Sequence, residues 1–253
     1  MEILVCVKRV PMVGGTIVVT ADGQDVDTRM SGFTVSPHEE CAVEEAVRLV
    51  ERHGGSATVL TLGPPEAAGQ LRDMLALGAS RAVLLQTDGR EWGPIATAEA
   101  IVAAVRGSES GYDLLLFGNE AADTGDYQVG VRVAHALGLP CVTGIKNLEV
   151  TDGASARASR EYRGTEEIFD VSLPAVISVK EGINLPRYPS LPGRLRAKRA
   201  AIEQSMPEWQ PEGLRKERLR VPPGETKRAE VLGTGADAVP ALVALLDDLG
   251  VLS

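Results

Sequence analysis

The stretch ATVLTLGPPEAAGQLRDMLALGASRAVLLQT, Ala57 to Thr87, reads as strand, helix and strand in that order. The apolar run ATVLTLG stops at Gly63-Pro64-Pro65, PEAAGQLRDMLALG has the length and composition of a helix, and AVLLQT is apolar again. Outward from it the pattern continues toward the C-terminus as helix GPIATAEAIVAAVRG, strand DLLLFG and helix DYQVGVRVAHALG. Strands alternating with helices of this length form βαβ units, which require a parallel sheet and right-handed crossovers. The expected fold class is α/β, a doubly wound and mostly parallel sheet.

Toward the N-terminus, EILVCV is a short β-branched run of the kind buried on both faces, and it predicts a central first strand. GGTIVVTADGQDVDT alternates around Asp22-Gly23 and predicts a hairpin excursion. SPHEECAVEEAVRLVERHGG has Ser36 as N-cap, Pro37 at the first helical position, Glu39 to complete a capping box and Gly54-Gly55 at its close. Cys41, Val43, Ala46, Val47 and Val50 follow its helical spacing. After Pro140, short alternating segments around Asp152-Gly153 and Arg163-Gly164 predict an antiparallel meander over 145–172, with AVISV returning to the sheet. Residues 1–183 thus form one α/β domain. Residues 184–253, dense in proline and arginine and without steady period, predict an extended arm ending in an amphipathic helix at ADAVPALVALLDDLG.

The chain has 253 residues and a net charge of −9, with 24% charged and 44% hydrophobic residues, enough for a real core and unsuited to a nucleic-acid surface. Cys6, Cys41 and Cys141 are far apart and odd in number, so neither a disulfide framework nor a zinc site is expected, and a reducing cytoplasmic setting is. No segment has the length of a membrane span.

In an open parallel sheet, ligands bind at the carboxyl ends of the strands, so the loop in FGNEAADTGDYQVGVRVAHALGLP, Phe117 to Pro140, is the first candidate. It lacks G-x-x-x-x-G-K-[ST], which argues against an ATPase phosphate loop. It offers Asp126 near an N-cap, followed by the free N–H groups of Tyr127, Gln128 and Val129, where the helix dipole favours an anion by about 0.3–1 kcal/mol. A single phosphate is the expectation; a capped surface helix with an acidic first turn fits the same letters. Gly233-Thr234-Gly235 with Ala238 imitates a dinucleotide fingerprint, but the chain ends before the required acid and the stretch reads as the start of a helix. His38, His53 and His135 stand on separate helices without ligand spacing, so no metal is expected. His38 reads either as facing a ligand or as a solvated first-turn residue, and Trp92 and Trp209 as packing anchors rather than flavin-stacking groups. No G-x-S-x-G elbow or Cys–His arrangement is assignable, so no catalytic residue is expected. In PRYPSLPGRLRAKR, Tyr188 and Leu191 sit within proline-bounded turns; the segment suits either docking on another protein or a solvated linker.

Several stretches together resemble the β subunit of the electron transfer flavoproteins: VCVKRVP, SPHEECAVEEAVRL, LTLGP, LALGASRAVLL, DLLLFGNEAADTGDYQVG, ALGLP, LPAVISV and NLPRYPSLPGRLRAK, collinear from Met1 to about residue 202. The resemblance implies an adenine-nucleotide-binding type of sheet and a heterodimer with an α subunit that makes most contacts to a redox FAD. The β subunit would hold a second nucleotide, commonly a structural AMP. It implies that Cys6, Leu62 and Ser36 lie near adenine and ribose. Asp123, Thr124, Gly125, Asp126, Tyr127, Gln128 and Val129 would hold the phosphate end. It also implies that Leu191 anchors partner dehydrogenases, with Tyr188, Arg194 and Arg196 around it, and that residues 184–253 dock on the partner subunit. The activity implied is electron carriage from acyl-CoA-type dehydrogenases to a quinone reductase.

Two features depart from the common pattern. Ser36 stands where Asn is usual, and ADTGDYQVG keeps the first acid but lacks a run of three aspartates. Its QVG ending resembles members whose β subunit carries a second FAD and oxidises NADH. A stand-alone adenine-nucleotide-binding module on the same fold is a third reading, against which the long arm argues.

Overall fold

The computed structural model describes residues 1–252 apart from 13–16, 152, 212, 214, 215 and 223–230. In chain order its elements begin with β1 (Glu2–Cys6), β2 (Val10–Pro11), β3 (Phe33–Thr34), α1 (Pro37–His53), β4 (Ser56–Gly63), α2 (Ala68–Leu77) and β5 (Arg81–Gln86). They continue with α3 (Pro94–Arg106), β6 (Leu114–Gly118), α4 (Val129–Leu137), β7 (Cys141–Ile145), β8 (Asn147–Val150), β9 (Ser155–Tyr162) and β10 (Thr165–Ser172). The last are β11 (Ala175–Val179), α5 (Leu191–Arg199), β12 (Glu203–Ser205) and α6 (Val239–Asp248).

Seven strands form one sheet in the order β12-β5-β4-β1-β6-β11-β7, and every neighbouring pair is parallel. The chain steps outward from β1 through β4 to β5, then crosses to β6 on the other side of β1. That reversal makes β1/β6 the topological switch point. Side chains alternate between the two faces. Ile3 and Val5, with Leu114 and Leu116, join the core under α1, α2 and α5, whereas Leu4, Cys6, Leu115 and Phe117 join the core under α3 and α4. With both faces covered, these strands carry no polar side, which is why they read as continuous apolar runs. Truncating one of these leucines to alanine would cost about 2–5 kcal/mol.

The meander is a three-stranded antiparallel sheet, β10-β9-β8, inserted between β7 and β11. Its β9–β10 turn has Arg163 at φ 50° and Gly164 at φ 76°, the paired left-handed residues a tight hairpin turn needs. Asp152 lies outside the described residues. So do Gly14, Gly15 and Thr16 of the predicted hairpin; across the rest of that segment one bridge joins Val19 to Val26, with Gly23 at φ 68° in the turn.

Three elements, β7, α5 and β12, go beyond the sequence reading. β7 was not separated from the meander, because CVTGI is interrupted by Gly144 at φ 72°, and the ladder shifts register beside it. The arm contributes α5, which packs on α2, and β12, which extends the sheet beyond β5 through Glu203–Val83, Gln204–Leu84 and Ser205–Leu85. α5 buries Gly193 and Ala197, too few apolar positions to give a readable period. The Gly-Thr-Gly stretch leads into a short 3-10 turn and α6, none of whose residues is buried. No helix among the described residues is long and apolar enough to cross a membrane.

Candidate functional site

A cleft of about 440 Å³ opens at the carboxyl ends of the strands, over the switch point and on the α3/α4 side. Its size falls in the range of roughly 300–1,000 Å³ common for small-molecule sites. Cys6, Leu62, Trp92 and Phe117 give it apolar surface, while Lys8, Arg9 and Arg90 bring positive charge to it. The cleft therefore combines apolar surface with cations and a helix start.

The loop after β6 shapes the second wall. Lys8 Nζ lies 2.7 Å from Asp123 Oδ1, so the loop after β1 holds this loop beside the cleft. Asp123 Oδ1 also accepts the Thr124 N–H at 2.9 Å, and the Gly125 N–H reaches the Ala121 carbonyl at 2.8 Å. Gly125 at φ 60° and Tyr127 at φ 55° are both left-handed, and the Tyr127 hydroxyl donates to Glu120. A left-handed residue cannot continue into an α-helix. The helix accordingly starts at Val129 with Gln128 as N-cap, which corrects the expected start at Asp126. Its first hydrogen bond runs from the Arg132 N–H to the Gln128 carbonyl, so the N–H groups of Val129, Gly130 and Val131 precede the helical ladder. The Gln128 side chain is held by Arg132, whose Nη2 donates to Oε1 at 2.8 Å. At Gly130 a Cβ would come within 3.2 Å of Phe117 Cγ and Ser178 Oγ, so the helix start is pressed onto the sheet.

The N-terminus of α1 supplies the floor. Ser36 is 1% exposed, and its N–H donates to Glu39 Oε2 at 3.3 Å within a capping box that Ser36 and Glu39 form at the start of α1. Glu39 is buried yet lines the cleft. Burial pushes its carboxyl up to about 7, against hydrogen bonds from the Lys8 and Ser36 backbone and from the Ser36 side chain that hold it down. Burial likewise raises the Cys6 thiol, which stays neutral. His38 accepts the Glu181 N–H on Nδ1 at 3.2 Å and brings Nε2 to 3.6 Å from Glu120 Oε1, so it bridges two loops beside the cleft.

Of the residues expected from sequence, Cys6, Leu62, Asp126, Tyr127, Gln128 and Val129 line this cleft. Asp123 is joined to its rim through Lys8, Thr124 and Gly125 form the outer turn of the same loop, and Ser36 sits behind Glu39. Lys8, Arg9, Glu39 and Trp92 were not singled out as cleft residues. Lys8 and Arg9 lie two and three residues beyond the end of β1, so the strand-end rule carries a signal for them; Glu39 reads in the sequence as a cap partner alone. Tyr188, Leu191, Arg194 and Arg196 are exposed on a different part of the surface, near α1 and α2. Among the described residues no group of three or more His, Cys, Asp or Glu side chains is arranged to hold a metal ion.

The fold and the cleft define a doubly wound α/β protein with an open cleft of small-molecule size at its switch point. The family model described as "Electron transfer flavoprotein domain" matches residues 26–208. A β subunit of electron transfer flavoprotein from Bacillus subtilis is 38% identical over 174 residues, 68% of this chain and 66% of that protein. The corresponding proteins of Syntrophomonas wolfei and Bradyrhizobium diazoefficiens are 36% and 34% identical, covering 80% and 81% of this chain and 78% and 81% of theirs. The chain belongs to the electron transfer flavoprotein family, on the β-subunit side.

Proposed function

We propose that this chain pairs with an electron transfer flavoprotein α subunit, binds AMP structurally in the switch-point cleft and helps to hold the α subunit's FAD. The complex is a cytoplasmic carrier taking electrons from acyl-CoA-type dehydrogenases to a quinone reductase. The observation that carries the nucleotide assignment is the convergence at one cleft of a helix start, Lys8, Arg9 and the apolar side chains of Leu62 and Trp92. The N–H groups of Val129, Gly130 and Val131, together with the helix dipole, suit a single phosphate. Leu62, Trp92 and the neutral Cys6 thiol suit a purine face.

The redox chemistry is the flavin's, which accepts and releases electrons; this chain binds, orients and shields. Arg194 and Arg196 set positive charge around the exposed Leu191, a combination suited to an acidic partner surface with an apolar pocket. A second reading, an electron-bifurcating form with FAD in this chain, is favoured by the QVG ending at Gln128-Val129-Gly130.

The docking assignment is tested in the heterodimer by following flavin reduction with an acyl-CoA-type dehydrogenase and its substrate. Leu191→Ala slows reduction while bound flavin is retained; unchanged kinetics would count against it.

A further inference from the structure

The segment that carries Tyr188 and Leu191 is held at its base by an unusual density of charged hydrogen bonds. Glu44 of α1 is 2% exposed, and it accepts the Arg187 backbone N–H at 3.1 Å and Arg187 Nε at 2.9 Å on one oxygen. Its other oxygen accepts Arg187 Nη2 at 3.1 Å and Arg48 Nε at 2.7 Å. Arg187 Nη1 and Nη2 also reach the two oxygens of Glu51, at 2.6 and 3.0 Å. Upstream, Arg48 Nη2 donates to the Leu185 carbonyl at 3.3 Å, and Asn184 Nδ2 donates to the Cys41 carbonyl and to Glu45 Oε2 at 3.0 and 2.9 Å. One stripe of α1, at positions 41, 44, 45, 48 and 51, thus grips residues 184–187.

The other end of the segment is held on α2. Ser190 Oγ accepts the Gly193 N–H at 3.1 Å, and Gly193 lies so close to α2 that a Cβ there would come 2.8 Å from the Ala76 carbonyl oxygen. Between these anchors Tyr188 is 96% exposed and Leu191 72%. An isolated surface ion pair contributes little, but a guanidinium forked onto two carboxylates, one of them buried, fixes geometry as well as charge. A segment ordered in advance loses less conformational freedom when a partner binds.

We propose that Arg187 is the positioning residue of the docking segment, clamped by Glu44 and Glu51 so that Tyr188 and Leu191 are presented in a preformed arch to a partner protein. This rests on the docking reading given above. The proposal predicts an effect on partner affinity and not on the electron-transfer step itself.

The test uses the heterodimer with Arg187→Ala, and with Glu51→Gln at an exposed site as the variant that spares the fold. Amide hydrogen exchange of residues 185–191 should accelerate roughly tenfold in Arg187→Ala while the β1 and β6 strands keep their protection. KM for the donor dehydrogenase should rise about fivefold with kcat retained, a loss of binding common to ground and transition states. Arg187→Lys should restore little, because an ammonium cannot fork onto two carboxylates. Unchanged exchange in both Arg187→Ala and Glu51→Gln would overturn the clamp. So would an unchanged KM in Arg187→Ala where Leu191→Ala raises it. If Leu191→Ala itself leaves KM unchanged, the docking reading fails and takes the functional half of the proposal with it, whatever the exchange result.

Discussion

Lys8 in the loop after β1 and Asp123 in the loop after β6 meet at 2.7 Å, closing an ion pair beside the switch-point cleft. Both side chains retain solvent contact, so the pair itself contributes only about 0–1 kcal/mol to stability. Its larger effect is on the loop that carries the helix start. Asp123→Ala should therefore leave the melting temperature nearly unchanged yet reduce the nucleotide retained after prolonged dialysis, and added salt should reduce retention in the parent protein too. A large fall in melting temperature with full retention would reverse that assignment.

Gly118 ends β6 against the first turn of α1. A Cβ there would lie 2.6 Å from Glu39 Cγ, 3.2 Å from His38 Cβ and 3.3 Å from the Glu39 backbone nitrogen. With backbone on one side and a buried side chain on the other, Gly118→Ala should destabilise by about 1–3 kcal/mol. Thermal denaturation would register this as a drop of about 2–4 °C per kcal/mol for a domain of this size. An unaltered midpoint would mean that α1 can shift without cost.

Glu39 gives a pH signature. Its carboxyl rises from an ordinary 4.5 to about 7 on folding, so the folded chain holds a proton that the unfolded chain releases. The contribution, on the order of 3 kcal/mol, is fully present below pH 4.5, declines as pH rises and is gone above about 7. Glu39→Gln keeps an acceptor for the Ser36 N–H and removes the titration. Chemical denaturation from pH 5 to 8 should show the parent losing stability relative to the variant as pH rises; parallel curves would contradict the buried, neutral carboxyl.

The sheet was legible because strands buried on both faces have no polar alternation to disguise them, as Ile3 to Cys6 and Leu114 to Phe117 illustrate. α1 was legible through its caps and α4 through its apolar face, but the start of α4 was not. Asp126-Tyr127-Gln128 offers good cap chemistry, and only the backbone conformation of Tyr127 shows that the helix must wait until Val129. In the arm, β12 is held by backbone pairing to β5 with all its side chains exposed, so its letters carry no burial signal. For the cleft, residues on the β6–α4 loop were visible in the motif. Glu39 and Trp92 come to it from α1 and the β5–α3 loop, a convergence that exists only once the sheet order is fixed.

The central claim is that this chain holds one adenine mononucleotide at its switch point, beside the flavin of a partner subunit. Denaturing the co-purified heterodimer and counting the released nucleotides by chromatography and absorbance tests it directly. One AMP and one FAD per heterodimer is the predicted result. Two FAD and no AMP would contradict it and make this chain the flavin-carrying half of a bifurcating complex.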